Sequence, residues 1–144
     1  MTYRQSATVS ATAKSGAGLT YSSLAPACAL NGTEITPLTG VGECAISATS
    51  AGNDKFAGVT AILPIRLALG VQTVGDFSVA KTIKVGKKLD LPTLSYFGEK
   101  VSYKASGACS VSKAKATFKK GKCTITATAP AKANSYKALN IKYT

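Results

Sequence analysis

The sequence predicts an all-β protein made of two tandem β-sandwich domains, each with one intradomain disulfide bond. Three observations lead to this prediction. Apolar and polar residues alternate with a period of two, the chain repeats itself once, and the four cysteines fall at matching places in the two copies. Such alternation is typical of strands with one buried and one solvated face. No comparable stretch shows the period of an amphipathic helix.

The alternation is clearest in the second half, where Cys123 and Ile125 alternate with lysine and threonine. The segment around Cys44 and Ile46 has the same period, and so does 5–13. Turn-forming residues separate these segments at 14–18, 31–32, 39–42, 86–88 and 119–121. Short strands at this spacing predict an all-β sandwich.

The internal repeat predicts where the domains divide. The matching stretches are Leu-Thr-Tyr-Ser-Ser at 19–23 with Val-Ser-Tyr-Lys-Ala at 101–105, Gly-Glu-Cys-Ala-Ile-Ser-Ala-Thr at 42–49 with Gly-Lys-Cys-Thr-Ile-Thr-Ala-Thr at 121–128, and 51–56 with 131–136. The alternative is chance similarity between strand-rich segments. The repeat predicts domains at 1–72 and 73–144, joined by a short passage near 70–75.

The four cysteines allow three pairings. The repeat selects Cys28 with Cys44 and Cys109 with Cys123, each pair within its own domain. Each bridge would close a loop of roughly 15 residues. By the loop-closure entropy of the unfolded chain, such a bridge stabilises the folded state by about 3 kcal/mol. The alternatives are a zinc site of four thiolates, which usually needs more closely spaced cysteines, and reduced buried thiols. Disulfides indicate an oxidising compartment.

The first copy carries a set of motifs: the tyrosine strand at 19–23, the Cys28 segment, the Gly-Glu-Cys stretch at 42–49 and Ala-Gly-Asn at 51–53. This set resembles the tandem Ig-like repeats of large bacterial surface and secreted proteins. The second copy departs from the pattern, because Lys-Ala-Asn at 132–134 stands in place of Gly-Asn.

The resemblance implies Ig-like sandwiches at the cell surface or outside the cell. It implies a stalk, spacer or adhesion role, with neighbouring Ig-like repeats or copies of the chain itself as partners. The alternative role is a structural or decorating subunit of a virion or an extracellular filament.

Composition argues against catalysis. The chain has no histidine and only six acidic residues, which removes the usual general base and leaves few carboxylates to pair. We therefore expect no catalytic residues, no cofactor and no metal. No run approaches the roughly 20 apolar residues of a membrane-spanning helix, and no signal peptide is recognisable at the start.

The net charge of +12 is concentrated in the second half. Residues 1–72 carry four cationic and three acidic side chains, a net of +1, whereas 73–144 carry 14 lysines and three acids, a net of +11. One predicted hairpin holds the candidate polyanion-binding residues Lys113, Lys115, Lys119, Lys120 and Lys122. A second group consists of Lys81, Lys84, Lys87 and Lys88.

The lysine groups have two interpretations. They form a surface for an acidic polysaccharide, a cell-wall polymer or lipid headgroups, or they protect strand edges from aggregation. Nucleic acid is disfavoured as a partner, because the second half has no arginine and its aromatic residues are few and scattered.

Overall fold

The computed structural model describes residues 1–75 and 82–144, which form strands and turns without a helix. The prediction of an all-β protein is confirmed. In chain order the strands are β1 (Ala7–Thr8), β2 (Leu19–Ser23), β3 (Cys28–Asn31), β4 (Glu34–Pro37), β5 (Glu43–Ser50), β6 (Val59–Arg66), β7 (Lys88–Asp90), β8 (Ser102–Ser112), β9 (Lys115–Ala129) and β10 (Leu139–Tyr143).

The chain forms two compact units. Unit 1 comprises Met1–Gly70 and Ala133–Tyr136, and unit 2 comprises Val71–Lys132 and Lys137–Thr144. Backbone hydrogen bonds tie the segment Ala133–Tyr136 to the rest of unit 1. Gly40 N donates to Asn134 O at 2.6 Å, and Gly70 N donates to Ser135 O at 2.8 Å.

Unit 1 contains two antiparallel three-stranded sheets, with strand orders β1-β4-β3 and β2-β5-β6. Its buried cluster combines Cys28 and Ile35 from the first sheet with Cys44 and Ile46 from the second. Because both sheets contribute to one cluster, the core lies between them, as in a β-sandwich.

Unit 2 is organised around the long strand β9. Strand β7 pairs with the first part of β9, β10 pairs with its last part, and β8 pairs with both parts. The buried residues Ala116, Phe118 and Ile125 of β9 share a cluster with Leu91. The core of unit 2 therefore draws on both parts of the same strand.

The β8–β9 hairpin is interrupted at Ala108. Gly107 pairs with Cys123 and Cys109 pairs with Phe118, so Ala108 alone faces a longer stretch of β9. The chain from Phe118 to Cys123 would span roughly 16 Å if fully extended. The Cα atoms of Cys109 and Cys123 are nevertheless 5.5 Å apart. Strand β9 therefore cannot run straight, and it folds back across this stretch, which we call the β9 excursion (residues 119–122).

Strand pairing is equivalent in the two units. Strand β1 pairs with β4 as β7 pairs with the first part of β9, and β2 pairs with β5 as β8 pairs with the last part of β9. The equivalent cross-strand pairs include Tyr21–Ala48 with Tyr103–Ala127, and Cys28–Pro37 with Cys109–Phe118. The matching register explains why tyrosines and cysteines recur in order along the sequence.

Both predicted disulfides, Cys28–Cys44 and Cys109–Cys123, are confirmed, with Cα atoms 5.8 and 5.5 Å apart. No cysteine is free, so the zinc and free-thiol alternatives are wrong. In unit 1 the bridge joins β3 of one sheet to β5 of the other. It therefore ties the two layers of the sandwich together.

The two disulfides differ in burial, which predicts an order of reduction. Cys28 and Cys44 are 5% and 0% exposed, whereas Cys109 and Cys123 are half-buried. Because thiol–disulfide exchange requires access to sulfur, we expect a mild reductant under native conditions to open Cys109–Cys123 first. Alkylation of the released thiols followed by peptide mapping measures the order. In denaturant the difference should vanish, and equal rates under native conditions would contradict the prediction.

The turn between β8 and β9 holds two left-handed residues, Lys113 and Ala114, with φ angles of 47° and 57°. This conformation costs a residue with a side chain roughly 1–2 kcal/mol. The corresponding turn between β3 and β4 has a glycine, Gly32, at its left-handed position (φ 58°).

We therefore expect Ala114→Gly to raise the free energy of unfolding by about 1 kcal/mol, since glycine adopts positive φ without steric cost. Urea denaturation measures the change. Ala116→Gly is the matched control, because Ala116 is buried within β9 and the same replacement should lower stability there. A loss of stability in Ala114→Gly would contradict the prediction, because the packing of the Ala114 methyl group against the core of unit 2 would then outweigh the relief of strain.

Candidate polyanion-binding surface

All the candidate lysines are exposed. Lys113 lies in the turn between β8 and β9, and Lys115 is the first residue of β9. The β9 excursion contains the other three, Lys119, Lys120 and Lys122. Roughly 10 Å of strand separates Lys115 from the excursion.

Alternation along β9 explains why these lysines face solvent. Ala116 and Phe118 point into the core of unit 2, while Lys115 and Lys119 are exposed. In the excursion, Gly121 has φ 134°, a value that side-chain-bearing residues rarely adopt. A Cβ atom there would lie 3.0 Å from the Cβ of Ala108. The glycine lets the chain turn where the lysines are gathered.

Lys115 has an acidic partner. Lys115 Nζ lies 3.0 Å from Asp90 Oδ1, and the two residues are also paired in the β7–β9 ladder. Both side chains are well exposed, so the pair contributes little to stability. It does reduce the charge that Lys115 offers to a ligand.

Strand β7 brings the second lysine group to the first. Lys88 pairs with Thr117 of β9. Gly86 N donates a hydrogen bond to Phe118 O at 3.0 Å. The turn that precedes β7 therefore lies beside the start of the β9 excursion.

We call the combined set the lysine surface. Its members are exposed and lie on β7, the turn before it and the β9 excursion: Lys84, Lys87, Lys88, Lys119, Lys120 and Lys122. Lys81, which the sequence placed in the second group, lies outside the described residues. Clustered charges of one sign create a potential that attracts polyanions and decays with salt.

A cleft of about 410 Å³ opens near the hairpin turn of unit 2. Its lining includes two lysines, Lys100 and Lys113, and two hydroxyl-bearing residues, Thr93 and Ser102. Sequence reasoning missed Lys100, because nothing in the sequence relates it to Lys113. The arrangement suits a small anionic group.

Tyr103 also lines the cleft. Its hydroxyl donates to Pro92 O at 2.8 Å. Burial, and secondarily the nearby Tyr143, raises the pKa of Tyr103 to about 12. Tyr103 therefore remains a neutral phenol at physiological pH and adds no negative charge to the cleft.

The described ranges hold no group of three or more histidine, cysteine or acidic residues able to bind a metal ion. In 1–75 and 82–144 there is no helix with the length and apolar character needed to cross a membrane.

Comparison of the chain with protein-family models, with curated proteins and with solved structures finds no match.

Crowding of the excursion lysines predicts a salt-dependent effect on stability. In Lys119→Gln/Lys120→Gln, relief of repulsion should raise the melting temperature at about 10 mM salt, where the Debye length is about 30 Å. The gain should disappear at about 1 M salt, where that length is about 3 Å. The control is Lys14→Gln/Lys55→Gln, in the nearly neutral half of the chain, where no gain is expected. Calorimetry at both salt concentrations measures the melting temperatures. Equal changes in melting temperature in the two variants would contradict the clustering of charge in the excursion.

Proposed function

We propose that this chain is a non-catalytic extracellular module with a structural and adhesive role, built from two copies of one Ig-like sandwich. The equivalent strand pairings and the matching disulfides of the two units support the duplication. The disulfides also support an oxidising location outside the cell, because such bonds persist there and are rare in the cytosol.

In this proposal, unit 2 attracts anionic polymers through the lysine surface. The observation that carries it is the meeting of two lysine groups, distant in sequence, where β7 pairs with β9. Edge protection alone does not require this convergence, because scattered lysines would serve as well.

The use of lysine indicates the class of ligand. A lysine ammonium is a strongly hydrated point charge on a flexible stem, so it attracts anions without demanding one shape. The absence of arginine from residues 73–144 removes the bidentate recognition that suits nucleic-acid bases. An acidic polysaccharide or an acidic cell-wall polymer is the ligand class that we propose.

Chromatography of the whole chain on an immobilised acidic polysaccharide tests the proposal. We expect retention at low salt and elution before 1 M salt, because screening shortens the reach of the lysines. Lys119→Gln/Lys120→Gln/Lys122→Gln should elute at clearly lower salt than wild type.

The matched control, Lys104→Gln/Lys137→Gln/Lys142→Gln, removes the same charge from exposed positions elsewhere in unit 2. It should elute close to wild type. Identical elution of the two triple variants would mean that retention depends on net charge alone, which would contradict a specific lysine surface. If the wild-type chain is not retained at low salt, the lysines protect strand edges from aggregation and do not bind a polyanion. That result would favour a role as a structural subunit of a virion or filament.

A further inference from the structure

Strand β6 of unit 1 is apolar, yet it is exposed on both faces. Val59 and Leu63 point to the inner face of the sheet, since they pair with the buried residues Ser50 and Ile46. Even so, they are 59% and 50% exposed, and Ile62 on the outer face is 61% exposed. The second sheet therefore leaves this part of the inner face uncovered.

Strand β6 is also an edge of its sheet. Leu24 N donates to Ala45 O at 2.8 Å, so the backbone of Ala45 faces β2. Its cross-strand partner Pro64 consequently faces away from β5, and so do Thr60 and Ile62. Proteins protect such edges with lysine or other charged residues, with proline or by making them short. Pro64 and Arg66 protect the end of β6, but its first five residues, Val59–Leu63, carry neither proline nor a charge.

The equivalent strand of unit 2, β10, is covered. Leu139 pairs with Ala129 as Val59 pairs with Ser50. Leu139 is only 3% exposed, because it packs in a cluster that includes Val74. Val59 has no comparable cover among the described residues.

The segment that carries Val74 is held in place by the buried amide of Gln72. Gln72 Nε2 donates to Pro130 O at 2.7 Å and to Lys137 O at 2.8 Å. Ser95 Oγ donates to Gln72 Oε1 at 2.6 Å. Together with a backbone hydrogen bond from Tyr96 N to Thr73 O at 2.9 Å, this amide and Val74 seat the segment on unit 2.

Unit 1 contains an unsatisfied polar atom at the same place. Ser50 Oγ is buried and has no hydrogen-bond partner in the described part of the chain. The equivalent position of unit 2 is the apolar Ala129. A buried hydroxyl without a partner is costly, so this end of β5 is a point at which the cores of the two units differ.

We propose that the inner face of β6, formed by the exposed Val59 and Leu63 beside Ser50 of β5, binds an extended segment of a partner polypeptide with the chemistry of Gln72–Val74. Pairing of two β6 edges from two copies would extend the sheet but leave this face open, so edge pairing between copies does not cover it. The inference does not depend on the polyanion proposal, and its test uses no polyanion.

The probe is a capped peptide with the sequence of residues 70–75, Gly-Val-Gln-Thr-Val-Gly, titrated onto the whole chain. We expect saturable changes in the amide NMR signals of Ser50, Val59 and Leu63. A peptide with both valines replaced by aspartate should not bind, because the face is apolar. No saturable change, or changes confined to unit 2, would overturn the proposal.

Matched variants separate the two faces of β6. Leu63→Lys and, as a second variant, Val59→Lys should weaken peptide binding about tenfold or more, since a charge would be buried in the contact. Ile62→Lys on the outer face should bind as wild type does. The NMR spectrum of each variant reports whether it is folded.

Equal loss of binding in Ile62→Lys would overturn the assignment to the inner face. Concentration-dependent dimerisation that is abolished by Leu63→Lys, without peptide binding, would also overturn the proposal. In that case a second copy covers β6.

Discussion

A sulfur bridge between facing strands is the interaction on which each unit depends. The buried cluster of unit 1 consists of Cys28, Ile35, Cys44 and Ile46, so the bridge itself supplies half of it. Aromatic residues make up only 7% of the chain and tryptophan is absent. Small domains with so little apolar bulk need cross-links to hold their layers together. The bridge also requires β3 and β5 to lie opposite each other, with Cα atoms 5.8 Å apart at Cys28 and Cys44.

The same requirement shapes unit 2 differently. There one strand, β9, supplies both layers, and Cys123 reaches Cys109 because the chain folds back through the excursion. Residues 119–122 have no partners in the β8–β9 ladder. Their side chains therefore need not alternate between a buried and an exposed face, as the side chains of a paired strand do. Hydrated lysines suit such a position, and the candidate binding surface is thus tied to the geometry that the bridge requires.

Much of this could be predicted from the sequence, where the pattern is local. Alternation predicted a buried face that carries Ile125, which is 1% exposed, and the repeat selected the cysteine pairs. The exposed apolar run of β6 could not be predicted, because periodicity does not distinguish a covered strand from an open one. The position of Lys100 beside Lys113 and the unsatisfied hydroxyl of Ser50 also depend on tertiary contacts. The stretch 119–121, predicted as a turn between strands, lies within β9 instead, because pairing with β8 resumes after it.

The positions of the cysteines also determine how each unit responds to a pulling force. Each bridge spans 16 or 14 residues of sequence, a stretch worth roughly 50 Å of extended chain. While the bridges are intact, that contour length cannot be released, and the force passes through the sulfur atoms rather than through the enclosed hairpins. The hairpin of β3 and β4, and the turn that carries Lys113, therefore stay shielded from tension even when the outer strands are drawn away. Reduction would release this hidden length, so redox conditions would determine the extensibility of the chain.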